Sequence, residues 1–567
     1  MSFPCSLAAR PCAFFLLVLA LASHGAATLP ARAEATSTPS AKVNLPDGWW
    51  RDAVFYEIFV RSFADASSGP LAGDGIGDFQ GLIEHLDYLN DGRGAAGTSL
   101  GVTAVWLMPI QPSPSYHGYD VTDYFGVNRE FGDLELCKRF VREAHQRGIR
   151  VIIDLVLNHA SSEHPLFRMA LNARAGAAEM EARKMFRFAE LPENIVGPWD
   201  QRAWHRAGDV FYYGVFSPQM PDWNFREPAV TEHHRRVAAF WLKEIGVDGF
   251  RLDAVRYFVE TGEELQDTEE TKQWLREFTA YCHQVKPGSF VVGEDTARSR
   301  EIARVIRGGS LDSAFEFDLS RAIYESIREE TPGILMQALW QLDGMYAGDA
   351  PWSTFLTNHD QERVRTQLGD REDLARFAAK LAFTLPGVPF FYYGDELGLR
   401  GAKPDPDLRT PMPWTGDAPN AGFTAPNVKA WEAPKSDFVH VNVATETKDP
   451  TSMLSLYRKL IRLNQGSRAL RHGKPVPVVT SDRHVYAEMR QTSDEVVLVL
   501  ANFADASAKG VDLTVETSAA RPAWTLVEEL EGAAVTAPNL TATGGFKHWR
   551  PLDELAPESV YVFRWRQ

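Results

Sequence analysis

A chain of 567 residues is long for one domain and leaves room for one large folded unit with appendages. Its hydrophobic fraction of 44% can fill a sizeable core, and the 15 Trp within an 11% aromatic content are a rich supply, many of them expected in the core. A formal charge of −16, with a sequence pI near 5.5, argues against nucleic acid or an acidic membrane surface as the partner.

At the N-terminus, Arg10 precedes the apolar run Ala13–Ala22, and small residues follow around Gly25-Ala26-Ala27 and Ala31-Arg32-Ala33. This pattern predicts a secretory signal peptide within residues 1–35, the run being too short for a permanent membrane helix. The expected location is secreted or periplasmic. No Cys follows the run, so a lipoprotein cleavage site is absent. Residues 36–47, with Ser, Thr and two prolines, read as a flexible lead-in. Cys5 and Cys12 would leave with the signal, and Cys137 and Cys282 fall in helical patterns, which favours two buried thiols over a disulfide framework.

From residue 48 onward, apolar β-branched runs alternate with amphipathic helical patterns. Strands are predicted at 53–60, 102–108, 150–157, 248–253, 290–294, 314–317, 352–357 and 388–393. Helices are predicted at 133–147, 229–245, 271–285 and 451–465. Eight such units predict an α/β fold, a (β/α)8 TIM barrel over 48–470, with its active site at the C-terminal strand ends. The interval 160–228 is too long for an ordinary βα loop and predicts an inserted subdomain. After residue 470 the segments HVYAEMR, EVVLVLANF, WTLVEEL and SVYVFRW read as alternating strands of a C-terminal antiparallel β domain over 471–567.

Three of the apolar runs end on an acid: GFRLDAV (249–255) on Asp253, VVGED (291–295) on Glu294 and FLTNHD (355–360) on Asp360. One such acid alone is most often a cap or half of an ion pair. Three on one barrel rim can converge, and two carboxylates about 5–5.5 Å apart can run a retaining glycoside cleavage. Arg251 lies two residues before Asp253, on the same face of a period-two strand, where it is expected to lower the aspartate's pKa. His159 and His359 also end strands and can offer imidazole donors to a polar ligand.

With these residues in hand, the chain resembles the α-amylase family, glycoside hydrolase family 13. The matching segments occur in the family's order: GVTAVWLMPI (101–110), GYDVTDYF (118–125), DLVLNH (154–159), MPDWNF (220–225), GFRLDAV, VVGED, FLTNHD and RTPMPW (409–414). MPDWNF is closest to the group intermediate between oligo-1,6-glucosidases and neopullulanases. The resemblance implies Asp253 as nucleophile, Glu294 as acid/base and Asp360 as transition-state stabiliser. It also implies Tyr119, His159, Arg251, His359 and Arg409 as substrate-binding residues, and a monomer acting on an α-glucan or malto-oligosaccharide.

The loop Gly73–Asp78 could cage Ca2+ in oxygen ligands from Asp65, Asp74, the Ile76 carbonyl and Asp78, as the resemblance also implies. Alternatively, Asp78 caps a helix starting near Phe79. Tyr257 stands where the family's second calcium site often has a His, so that site is not transferred. Ala254 after the nucleophile implies α-1,4 linkages, and Tyr116, where exo-acting α-glucosidases commonly carry Asp, leans toward longer glucans. An α-glucosidase, a transglycosylase and a catalytically silent sugar-binding relative are the alternatives.

Overall fold

The eight predicted strands form one closed parallel sheet. The computed structural model describes residues 48–567 except 173–175, 262–263 and 348; the expected signal and lead-in over 1–47 lie outside the described residues. In chain order the strands are β1 (Phe55–Ile58), β2 (Ala104–Leu107), β3 (Arg150–Leu155), β4 (Gly249–Leu252), β5 (Phe290–Gly293), β6 (Ser313–Ala314), β7 (Ser353–Thr354) and β8 (Val388–Tyr392). Neighbours in the sheet are neighbours in sequence, β8 pairs back onto β1, and a parallel bridge from Phe315 to Ser353 closes the ring between β6 and β7. This is the (β/α)8 barrel. β6 and β7 are shorter than expected. The predicted strand 314–317 turns at Glu316 into the helix Phe317–Arg328, which takes Phe317 out of the ladder.

Period-two alternation explains both the core and the site. Phe55, Ala104, Trp106, Ile152, Phe290, Val292, Phe315, Phe355 and Phe390 form the apolar filling of the barrel. Phe55 and Phe390 stack at 4.2 Å. One step further along the same faces come Glu57, Asp154, Arg251 and Glu294, so the filling changes from apolar to charged toward the C-terminal rim. Gly249 opens β4 because no side chain fits there: a Cβ would lie 1.9 Å from the Phe290 carbonyl oxygen.

The helices pack outside the barrel, among them Leu134–Gln146, Pro228–Ala239, Glu269–Val285 and Met453–Gly466. The expected helix 229–245 changes character at residue 240, where its last turns widen into a π-helix, Phe240–Ile245. There the buried Trp241 donates its indole N–H to the Tyr124 carbonyl at 2.8 Å. Asp78 caps the helix Phe79–Glu84 by accepting from the Gly81 N–H. Cys137 and Cys282 are free and buried.

Between β3 and the helix Pro228–Ala239, the chain builds a small antiparallel sheet from Phe188–Ala189, Trp204–Ala207 and Val210–Tyr213. After the helix Arg468–His472, a five-stranded antiparallel sheet includes β9 (Val485–Gln491), β10 (Glu495–Asn502) and β11 (Ser559–Arg566). β10 is buried on both faces and splits by parity. Val497, Val499 and Ala501 join the core shared with the barrel helices, while Val496, Leu498 and Leu500 face a second core inside the C-terminal domain. Among the described residues no helix is long and apolar enough to cross a membrane.

Candidate active site

Arg251 organises the rim. It is fully buried on β4, and its Nη1 donates to both oxygens of Asp154 (2.9 and 3.0 Å) and to Oδ1 of Asp253 at 2.7 Å. Its Nη2 lies 2.9 Å from Oε2 of Glu294, an ion-pair contact without hydrogen-bond geometry. The chain turns sharply after Asp253: Ala254 sits in the left-handed region at φ 47° and points its N–H at Glu294 Oε2, 3.3 Å away. Such a conformation is uncommon for a residue with a Cβ and is held by its surroundings.

Asp360 is fixed from a different direction. Arg409 Nη2 donates to its Oδ1 at 2.7 Å, and His359 Nε2 lies 3.2 Å from its Oδ2. The other ring nitrogen of His359 meets the buried Glu57 carboxylate. Tyr119 stacks on His359 and donates its hydroxyl to Asp154 Oδ2 at 3.1 Å. His159 is buried, with both ring nitrogens within reach of protein oxygens, on Tyr119 and Asn158. Asn158 in turn donates to the Tyr257 carbonyl at 2.7 Å, tying the end of β3 to the loop after β4.

The titration behaviour follows from burial set against these charges. Burial is the larger effect on the Asp253 carboxyl and makes its net shift upward, although Arg251 lowers it as expected. The neighbouring Asp360 carboxylate adds to that rise. Burial likewise raises Glu294, opposed by Arg251 and reinforced by Asp253 and Asp360. Asp154 is pushed up to about 7 by burial. Asp360 goes the other way: its own burial is outweighed by His359, Arg409 and Arg251, which hold it well below the usual carboxylate range. His359 rises to about 9, because Asp360 and Glu57 overcome its desolvation. Burial lowers His159 to about 4, leaving it neutral.

Asp253, Glu294, Asp360, Tyr119, His159 and Arg409 line one cavity of about 580 Å³. Arg251 and His359 are fully buried and are not among its lining residues. The sequence reading did not single out Glu57 or Asp154 as site residues, although each is a lone acid in an apolar strand, the same signal that marked Asp253. It also missed the lip formed by Trp199, 69% exposed, and Phe216, which the inserted segment supplies and no periodicity announces.

The Gly73–Asp78 loop forms a separate structure. Asp65 accepts from the N–H groups of Gly73 and Gly75, both at 2.9 Å, and Asp74 accepts from the Ile76 N–H. Burial raises Asp74 and lifts Asp78 to about 6, and Asp65 adds to both. The donor set is all oxygen, as a hard cation prefers. Among the described residues, however, no three His, Cys, Asp or Glu side chains converge tightly enough to hold a metal ion.

The family described as "Alpha amylase, catalytic domain" matches residues 57–473. Alpha-amylase 3 of Dictyoglomus thermophilum is 38% identical over 460 residues, covering 80% of this chain and 85% of that protein. Trehalose synthase of Thermus thermophilus is 33% identical over 508 residues, with 80% of this chain spanning only 50% of that protein. Among solved structures, the alpha-amylase from H. orenii superposes with a TM-score of 0.77 at 33% identity, covering 91% of this chain and 99% of its own. The chain therefore belongs to the α-amylase family, glycoside hydrolase family 13, whose catalytic barrel it carries.

Proposed function

We propose that this protein is a retaining hydrolase of α-1,4-glucosidic bonds in starch or malto-oligosaccharides, working by double displacement. The observation that carries the reading is the sharing of Arg251. Its two terminal nitrogens contact Asp253 and Glu294, so both carboxylates meet one guanidinium at the cavity they line. Retaining enzymes use separations of about 5–5.5 Å, whereas inverting ones need about 6.5–9.5 Å to admit a water.

In the first step Asp253, kept ionised by the Arg251 hydrogen bond, attacks the anomeric carbon. The glycosidic C–O bond breaks, and the leaving oxygen takes the proton of Glu294. In the second step Glu294, now a carboxylate, removes a proton from water. The water oxygen bonds to the anomeric carbon, Asp253 departs and Glu294 is reprotonated. The difference in contact geometry fits the division of roles: Asp253 receives a true hydrogen bond from Arg251, and Glu294 does not. Asp360, the most acidic of the three, stays ionised and stabilises the developing positive charge on the sugar ring.

The linkage is proposed from Ala254, which lines the cavity, and from the relative named alpha-amylase. Relatives named trehalose synthase and oligo-1,6-glucosidase keep α-glucosidase and transglycosylase action on the same site as the second reading. The test is to trap the intermediate with a fluorinated α-glucosyl fluoride and map it by mass spectrometry. A glycosyl adduct on the peptide containing Asp253 is expected; an adduct on Glu294 or Asp360 contradicts the assignment.

Two further expectations belong to the proposal. Export through residues 1–35 rests on the sequence pattern and is tested by N-terminal sequencing of protein from medium or periplasm. Calcium on Asp65, Asp74, the Ile76 carbonyl and Asp78 would supply a structural counter-charge to three crowded carboxylates; Asp74 would have to turn from the Ile76 N–H to meet it. Chelation should then lower Tm by several degrees, reversed by Ca2+. An unchanged Tm leaves the loop to the Asp78 helix cap alone.

A further inference from the structure

A second cavity lies at the end of the barrel away from the acids. Trp352 precedes β7, Val388 opens β8 and Arg51 precedes β1, so the cavity they line sits at the N-terminal ends of the strands. The helix Gly333–Tyr346 contributes Leu339 and Asp343, and β9 of the C-terminal sheet contributes Glu488 and Arg490. Its volume is about 120 Å³, against about 580 Å³ for the catalytic cavity, which is room for one sugar ring rather than a chain.

The lining is divided in chemistry. Leu339, Ala350, Trp352 and Pro386 supply apolar surface. β9 supplies charge from the same face that puts Tyr486 into the barrel core, since Glu488 and Arg490 follow at steps of two. Arg490 is locked in place, its Nη1 and Nη2 donating to the Leu470 and Thr384 carbonyls. Its Nε faces Glu488 Oε2 at 3.5 Å without hydrogen-bond geometry, and neither atom has a hydrogen-bond partner. Glu488, its side chain 15% exposed, therefore keeps acceptor capacity where it borders the cavity. Arg51 pairs with Asp349 at 2.6 Å, so the charges around the space are matched and do not call for an ion. Polar edges beside apolar surface fit a neutral pyranose.

The helix adds an independent observation. Trp340 is 76% exposed, adjacent in sequence to Leu339 and three residues before Asp343, which places it beside the cavity on the helix surface. Residues 333–341 contain no charge, and Met336, Gln337, Trp340 and Gln341 are all exposed. A neutral surface of indole and amides suits a polyhydroxyl chain better than a charged partner.

We propose that this end of the barrel is a non-catalytic α-glucan-binding site. One glucose unit occupies the cavity, with Glu488 and Asp343 accepting from its hydroxyls and Arg51 donating to them, and the adjoining units lie across Trp340. The ligand class rests on the hydrolase reading above, while the rim acids take no part. Holding a polymer here raises its effective concentration at the catalytic cavity of the same molecule.

Native gels containing amylopectin test the site, using the mature chain in a Glu294→Gln background so that the polymer survives. The polymer should retard this protein, and Trp340→Ala should weaken the apparent affinity about ten-fold. Trp340→Phe, which keeps an aromatic face, should recover most of it, and Asp343→Ala should weaken it less. In the otherwise unaltered enzyme, Trp340→Ala should leave Tm and the kcat/KM for maltoheptaose unchanged while slowing attack on granular starch. Equal retardation with and without Trp340 overturns the site. So does light scattering that finds a dimer which Trp340→Ala turns into a monomer, because the helix would then be an interface between copies. Maltoheptaose left uncleaved contradicts the hydrolase reading alone; Trp340-dependent retardation would still support the site.

Discussion

Arg251 must serve Asp154, Asp253 and Glu294 with a single positive charge, which leaves the buried rim anionic unless a proton is retained. That demand makes the acid/base role natural for Glu294, whose contact with the guanidinium is the poorest in geometry. Glu294→Gln should cut turnover by about 10²–10⁴ with Tm nearly unchanged, as removal of a general acid/base does. Asp253→Asn should cost about 10⁴ or more, since groups acting in one covalent sequence lose most of the rate singly. Steady-state kinetics beside thermal melts check both, and full kcat in either variant would remove the residue from the chemistry.

His359 adds a pH dependence whose sign is fixed. Its folded pKa, about 9, lies above the ordinary 6.5, so the stability it contributes is complete below about 6.5 and lost as pH rises through 9. Asp154, raised to about 7, acts in the same direction over the range from 3.8 to 7. Tm should therefore decline from pH 6.5 to 9. Glu57→Gln, which removes the buried partner of His359, should bring the upper part of that decline to lower pH. A Tm–pH curve identical to wild type would show that the pair does not tune His359.

At the scale of elements, strand alternation carries the site. β3 and β5 place apolar side chains in the barrel filling while β4 contributes only Gly249 there, and on all three the same face continues to a charged residue at the rim. Gly249→Ala would push a Cβ into the Phe290 carbonyl and part β4 from β5, the strands that lead to Asp253 and Glu294. Overpacking of this kind costs about 1–3 kcal/mol or more. The expected result is a lower Tm together with a fall in kcat; a variant matching wild type in both would mean the strands can slide without consequence.

The same alternation is why much of this architecture was legible in the sequence. Apolar runs ending in acids identified the strands, and the strand ends identified where Asp253, Glu294 and Asp360 would meet. What escaped was set by partners distant in the chain. The upward shift of Asp253 depends on the burial that the folded barrel imposes on it. Trp199 and Phe216 come from a segment with no periodic pattern. Arg409 hydrogen-bonds Asp360 and Asp405 together, a link that spacing along the chain does not show. The fate of the Gly73–Asp78 carboxylates turned on backbone N–H groups, which sequence does not display.

At the scale of the whole molecule, the C-terminal sheet is part of the barrel's core. Val497, Val499, Val560 and Val562 share a cluster with the barrel helices, Phe503 packs on Phe377 at 5.0 Å, and Arg564 donates to the Gly466 carbonyl at 3.0 Å. Calorimetry should accordingly show one cooperative transition for the residues from 48 onward, and a truncation after residue 470 should lose soluble expression. Two resolved transitions would show that the domains fold independently.

The central claim is retention at an α-glucosidic centre, and it is tested most directly by following the anomeric protons of the first products from a malto-oligosaccharide by NMR, before mutarotation. The account predicts new α-configured reducing ends that relax later toward the equilibrium mixture. Products appearing first as β anomers would contradict it, because Asp253 and Glu294 would then be working across a water rather than through a covalent intermediate.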